Sequence, residues 1–416
     1  MTHQIHIWRE DTVEADNIVT TSVILELPNQ TRKSIWYRMP AAYASQITNS
    51  MDPFVVATIY VGMTTAADLR IHGEVSPSLI QNLEEFQTIW KCWRPEAYPH
   101  KVQIIADTER EQSTATNFSG DIMAFSGGVD SSFTALSHIH KVRGGLNRDI
   151  KAGVLIQSSV PPFTSNDLFK PPYVNLAAML ANFGVELIPM MTNAYNALRP
   201  NKLRDHFTPV AISCLMLLQG TYRAGLLAST EPYEALVTPW GSHPLTDRLL
   251  SSNSFKVVHD GAEFTRTQKV GYLAKFPEAL SVLQVCWRRD RGEKNCGQCS
   301  KCIRTILNFR TVKAPLPECF EQDVSDLQIL SLGLQGMNEA MLNELELILA
   351  DAQKVSISES WVLALWICIQ IKQLRLRVLS PIKQSFMSLL NIVRFLPRFN
   401  KQKKFKPEQL SSKAGV

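Results

Sequence analysis

The first hundred residues of the chain alternate apolar and polar positions in short runs. Residues 22–27, 34–39 and 55–61 are rich in β-branched or aromatic side chains, and each run predicts a strand. Ser76-Pro77 then reads as an N-cap followed by a first helical residue. Ile80, Leu83, Phe86 and Trp90 recur behind it at helical spacing as candidate core. A further strand is expected over residues 102–106, and the polar stretch from Asp107 to Asn117 shows no periodicity and reads as a linker.

From residue 121 the pattern changes to apolar runs of four to six residues separated by helix-period segments. Strands are expected at 122–125, 152–157, 185–190, 236–240 and 255–259, with helices at 132–141, 174–183 and 212–218. Gly184 fits the C′ position of the second helix. Alternating strands and helices imply a parallel sheet, so the fold class is α/β, a doubly wound sheet. The chain divides into an N-terminal α+β accessory region (1–106), a linker (107–120), the α/β region (121–314) and a helical C-terminal region (315–416). A long helix is expected over 360–379 and another from Ser380-Pro381. An apolar stripe runs through Ile371, Leu374, Val378, Ile382, Phe386, Leu389, Val393 and Leu396.

Composition sharpens this only in places. With 45% hydrophobic and 19% charged residues, a chain of 416 residues can bury several cores and has no disordered composition. The net charge of +5 is unevenly placed: ten Lys and Arg, and no Asp or Glu, lie between Lys372 and Lys406. That tail suits a core-packing helix with a partner surface, an anionic membrane surface or a nucleic acid. Its apolar run is too short for a membrane span. The N-terminus lacks the pattern of a secretory signal. Four of the eight cysteines cluster while four are scattered, which points to a reducing, cytoplasmic setting.

Two motifs carry chemistry. Residues 125–132 read Phe-Ser-Gly-Gly-Val-Asp-Ser-Ser between an expected strand and an expected helix. Glycines let backbone approach an anion, and the helix N-terminus adds positive potential, so the turn suits a pyrophosphate. It lacks the Gly-Lys-Ser/Thr ending of kinase and GTPase loops; the plain structural alternative is a capped glycine turn. The second motif is Cys286 followed by Cys296-x-x-Cys299-x-x-Cys302. Four thiolates so spaced suit Zn²⁺, with an iron–sulfur cluster or disulfides as alternatives. Two loops add candidates: 241–248, with His243 and Asp247, and 260–269, where Thr265 reads as an N-cap ahead of Arg266 and Lys269. A histidine before proline more often bonds its own turn, Asp247 reads as a cap for Leu249-Leu250, and basic residues on a helix are commonly just solvated.

The loop from Ser126 to Ser131 resembles the PP-loop of ATP pyrophosphatases. Together with the cysteines, Val285-Cys286-Trp287, Arg304 and Lys269, it resembles the zinc-containing 7-cyano-7-deazaguanine synthases over residues 117–312. The resemblance implies that Ser126, Gly127, Gly128 and Ser131 hold the β- and γ-phosphates of ATP, that Asp130 faces Mg²⁺, and that Lys269 faces phosphate. The nucleotide-contacting set extends to Val129, Ser132, Gln157 and Arg266, and Cys286, Cys296, Cys299 and Cys302 hold Zn²⁺. It implies a ligase that adenylates a carboxylate or carbonyl acceptor, releasing pyrophosphate and then AMP on attack by ammonia or an amine. The sequence departs from the family in its long N-terminal region and in residues 157–164, so the small-molecule acceptor is not implied. The alternatives are modification of a macromolecule through an adenylate, by tRNA thiolation or amidation or by deazaguanine-type protein conjugation in a defence system, or an amidotransferase of surface-polysaccharide synthesis. Self-association stays open.

Overall fold

A computed structural model of the chain describes residues 3–112, 118–158, 171–199, 205–286, 294–336 and 339–379. The strands are β1 Gln4–Arg9, β2 Val13–Ala15, β3 Ile18–Glu26, β4 Arg32–Pro40, β5 Asp68–Val75, β6 Ile104–Glu109, β7 Gly120–Ala124, β8 Ile150–Ser158, β9 Glu186–Thr192, β10 Tyr222–Ala228 and β11 Lys256–Asp260. The α-helices are α1 Asp52–Thr65, α2 Pro77–Trp93, α3 Val129–Ile139, α4 Pro171–Ala181, α5 Ala194–Ala197, α6 Phe207–Met216, α7 Pro244–Asp247, α8 Arg266–Leu273, α9 Pro277–Ser281, α10 Ser300–Thr311, α11 Asp326–Leu332, α12 Glu339–Lys354 and α13 Ser360–Leu374.

All eleven strands join one sheet in the order β11-β10-β7-β8-β9-β4-β3-β1-β5-β6, with β2 on β3. From β11 to β9 every pairing is parallel. The order reverses between β7 and β10: β7 leads to β8 and β9 on one side, and β10 and β11 lie on the other. This order is compatible with a doubly wound α/β sheet, in which ligands bind beyond the carboxyl ends of the strands at such a switch point. The N-terminal strands extend the same sheet through a short antiparallel seam, Tyr37 opposite Thr192 and Arg38 opposite Met191. Trp36 N–H and Asn193 Oδ1 pin that seam at 2.9 Å.

Burial divides the molecule by sheet face. One core runs from Ile5, Val19 and Tyr60 through Ile122 and Val154 to Leu215 and Phe255, so α1, α2 and α6 share one apolar layer. The opposite face packs Met123, Phe125 and Leu155 against Leu176 and Leu180 of α4. A third core joins α3 and α8 to the cysteine loop and to α10–α13.

Several expectations are corrected. The run at 55–61 is not a strand but lies inside α1, where every residue from Asp52 to Tyr60 is buried. A helix enclosed on all sides loses its amphipathic signature, and its β-branched residues mimic a strand. The expected strand at 236–240 does not form. Pro239 has no amide to donate, and Val237 N–H goes to Glu231 Oε2 at 2.9 Å instead. The strand of this region is β10, Tyr-Arg-Ala-Gly-Leu-Leu-Ala, which has no β-branched residue and is stabilised by its place between β7 and β11. β6 continues to Glu109, through the start of the expected linker. The expected helix at 360–379 keeps α-helical form to Leu374 and continues as a π-turn over Arg375–Leu379. The helix expected from Ser380-Pro381, the later part of the apolar stripe and most of the basic tail lie outside the described residues. Among the described residues no helix is long and apolar enough to cross a membrane.

Candidate functional site

The loop at the end of β7 is set by glycine. Gly127 has φ +70°, and a Cβ there would stand 2.7 Å from Leu176 Cδ2, so only glycine fits both the turn and the packing. Its carbonyl accepts from Gln284 N–H at 2.8 Å, tying the loop to the segment ahead of the cysteines. Gly128 is the N-cap of α3, and α3 begins at Val129, so the amides of its first turn lack intrahelical acceptors and point to the loop. Ser126 is exposed; its Oγ lies 3.2 Å from Ser131 Oγ and accepts from Gly128 N–H at 3.3 Å. Ser132 is buried, and its Oγ has no hydrogen-bond partner in the protein. Val129 is core. Gln157 stands half-buried near the carboxyl end of β8.

Asp130 collects the site's cations. Arg266 Nη2 pairs with its Oδ2, and Lys269 Nζ stands 3.5 Å from its Oδ1. Burial pushes the Asp130 carboxyl up, but Arg266 and Lys269, with Lys301 beyond, hold it below the ordinary carboxylate value. Lys269 is fully buried, and burial pulls its ammonium down against the opposing pull of Asp130. Its Nζ also donates to Ser229 O at 2.5 Å, linking the loop after β10 to the site. Both cations sit on α8, whose start is fixed by a capping box between Thr265 and Gln268.

Nothing in the sequence marks Glu344. This carboxylate of α12 accepts from Arg266 Nη1 at 3.1 Å and pairs with Arg304 of α10. A chain of charge thus runs Asp130–Arg266–Glu344–Arg304, from the glycine loop to the cysteine helix. Burial and the nearby Arg266 charge bring Arg304 down to about 9. A lone glutamate on an amphipathic helix resembles any solvated one, so only the fold reveals its role.

The four cysteines converge. Cys286, Cys296, Cys299 and Cys302 present sulfurs that all lie within 4.8 Å of one another, a set that can hold a metal ion. Cys286 Sγ is 3.4 Å from Cys296 Sγ and 3.9 Å from Cys299 Sγ, and Cys296 Sγ is 3.9 Å from Cys302 Sγ. A tetrahedron of sulfurs about 2.3 Å from a central ion has edges of about 3.8 Å, so the donor set fits. No disulfide joins any two of the four. Gln298 and Cys299 N–H point at Cys296 Sγ, each at 3.4 Å, and Cys302 N–H at Cys299 Sγ at 3.5 Å. Gly297 has φ +67°, and a Cβ there would meet Gln322 O at 2.4 Å. Asn295 braces the loop: its Oδ1 accepts from Val285 and Cys286 N–H, and its Nδ2 donates to Leu283 and Cys319 carbonyls.

The two remaining candidate loops resolve differently. His243 bonds its own turn, its Nδ1 accepting from Leu245 N–H at 3.1 Å. Asp247 does not cap Leu249-Leu250; its carboxylate accepts from Ser242 Oγ, His243 N–H and His259 Nδ1. Comparison with known proteins adds nothing to this site: no family model, no curated protein and no solved structure matches the chain.

Proposed function

We propose that this protein is an ATP pyrophosphatase of the PP-loop kind, joining nitrogen to an activated acceptor. The observation that carries the reading is the loop from Ser126 to Ser131, placed at the sheet's switch point with Arg266 and Lys269 converging on Asp130. An acceptor carboxylate or carbonyl oxygen attacks the α-phosphorus of ATP, and pyrophosphate departs into the α3 amides and the hydroxyls of Ser126 and Ser131. Lys269 and Arg266 balance the negative charge that accumulates on the leaving group. Ammonia or an amine then displaces AMP. No covalent enzyme intermediate is required; the residues act by alignment and charge.

Asp130 Oδ1 accepts no hydrogen bond from the protein and faces only the Lys269 ammonium, at 3.5 Å, so it is the carboxylate oxygen that would hold Mg²⁺. Bound there, Mg²⁺ would supply neutralisation of the triphosphate charge. For the cysteine site we propose zinc in a closed, structural role, since four thiolates leave no position for water. The site stands at the start of α10 and thereby places Lys301 and Arg304. The acceptor we propose is a carboxylate or carbonyl compound, and a 7-deazaguanine carboxylate, the acid used by the family it resembles, is the first to test.

The experiment is to incubate the protein with Mg-ATP, ammonium and a 7-deazaguanine carboxylate and to resolve the nucleotides by chromatography. AMP and pyrophosphate in equal amounts are expected; ADP and phosphate would falsify the proposal.

A further inference from the structure

Beyond the loop after β7, a second group of polar atoms gathers at the carboxyl ends of β10 and β11. His259 is paired in register with Leu227 of β10, whose neighbour Leu226 pairs with Met123 of β7. The His259 backbone therefore stands at the same carboxyl end of the sheet as the glycine loop, two strands away, or roughly 10 Å. Its Nδ1 lies 2.8 Å from Asp247 Oδ2. A carboxylate only accepts, so Nδ1 carries the hydrogen and Nε2 is left as an acceptor. The His259 side chain is 6% exposed, and no protein group bonds its Nε2.

Glu231 lies in the same place. It is buried, its Oε1 also lacks a partner, and its charge acts on His259. Its Oε2 holds Val237 N–H, in a segment that faces α12 and α13 across a cleft of about 460 Å³. Ser229, two residues earlier, receives Lys269 Nζ. Two buried, unpaired acceptors thus lie next to the Ser229 carbonyl that holds Lys269 and behind the Val237 segment that lines the cleft. The fold does not need them: buried acceptors are normally satisfied, and leaving them so costs stability. Sites that handle protons are where such groups persist.

We propose that His259, oriented by Asp247, is the proton acceptor for the nitrogen nucleophile, with Glu231 positioning that nitrogen; this rests on the adenylating reading above. As the C–N bond forms, the C–O bond to AMP breaks and AMP leaves with its electron pair. The proton released by the nitrogen passes to His259 Nε2. Asp247 is the positioning residue, holding the tautomer.

The test separates the two half-reactions in the full chain. Adenylation is read as exchange of labelled pyrophosphate into ATP with a 7-deazaguanine carboxylate, and nitrogen transfer as AMP release with ammonium chloride. His259→Gln is expected to keep exchange within about twofold and to lose AMP release about 10²–10⁴-fold, the usual worth of a general base. The acid limb of wild-type AMP release should vanish with it; the charges acting on that imidazole are Asp247 and His243 from the α7 turn and Glu231 from the loop after β10. Asp247→Asn should reproduce a smaller loss with the limb displaced. Should His259→Gln not fold, His259→Asn is measured in its place. Unchanged AMP release, or equal loss of both half-reactions in a variant that keeps its melting temperature and metal, overturns the assignment. A wild-type protein that makes ADP overturns the parent reading, and this inference with it.

Discussion

The glycine loop at Ser126–Ser131 and the cysteine loop at 296–302 are built from similar parts to opposite ends. Each is a turn with one left-handed glycine leading into a helix, α3 or α10. In the cysteine loop the amides of Gln298, Cys299 and Cys302 turn inward onto sulfur, and the site is closed by its own backbone. In the glycine loop the hydroxyls of Ser126 and Ser131 engage each other weakly, and the first-turn amides of α3 are left directed outward. One loop is complete within the protein; under the proposed function, the other gains its partners only from a substrate. Changes in the cysteine loop should therefore act on folding, and changes in the glycine loop on rate.

The largest effect that can break this contrast is Cys299→Ser. The protein is expected to carry one metal ion per chain by elemental analysis and to lose both metal and soluble yield in this variant, because structural zinc contributes folding energy directly. Zinc retained in a soluble variant would mean that the loop does not need its metal.

Glu344→Ala tests the charge chain that joins the loops. It strips a shared partner from Arg266 and Arg304, both buried. Breaking a buried pair by removing one member costs about 3–5 kcal/mol, read as a lowered denaturant midpoint. Ser126→Ala and Asp130→Asn should each lower AMP formation about a hundredfold or more, with metal content unchanged. Metal loss in either would erase the distinction between the loops.

Acid should act on the sheet face carrying α3 as well as on the site. Asp130 and Asp260 are both held below the ordinary aspartate value of 3.8, by Arg266 and Lys269 in one case and His138 and Arg143 in the other, against burial in both. Their stabilisation is complete above that unfolded value and disappears as pH falls through the lower folded values. Urea unfolding at a series of pH values from 7 to 2 should show this loss, and Asp260→Asn should flatten it. The smallest effect is expected from removing residues 400–416, a stretch with Lys401, Lys403, Lys404 and Lys406 and few large apolar groups. Thermal unfolding of the truncated protein should match that of the full chain.

Legibility in the sequence followed the range of the interactions. The glycine and cysteine loops are short and set by residue type at fixed spacing, so Ser126–Ser131 and the four cysteines are placed together as their spacing implies. The capping box at Thr265 is equally local. By contrast, α1 reads as a strand because its surroundings, not its residues, decide it, and β10 passes unnoticed because its neighbours supply the ladder. Glu344, Asn295 and the His259–Asp247 pair escape for the same reason: each acts across 10 to 78 positions of chain.

The seam between β4 and β9 has a consequence for synthesis on the ribosome. Trp36 and Asn193, which meet across it, are 157 positions apart. At about 5–20 residues per second, the β4 edge waits roughly 8 to 30 seconds for its partner strand to be translated. Throughout that interval an edge with unpaired amides and carbonyls is available to other nascent chains. The yield of this protein should therefore depend on the pace of translation over residues 40–190 and on chaperones that shield strand edges, more than on the stability of the finished fold.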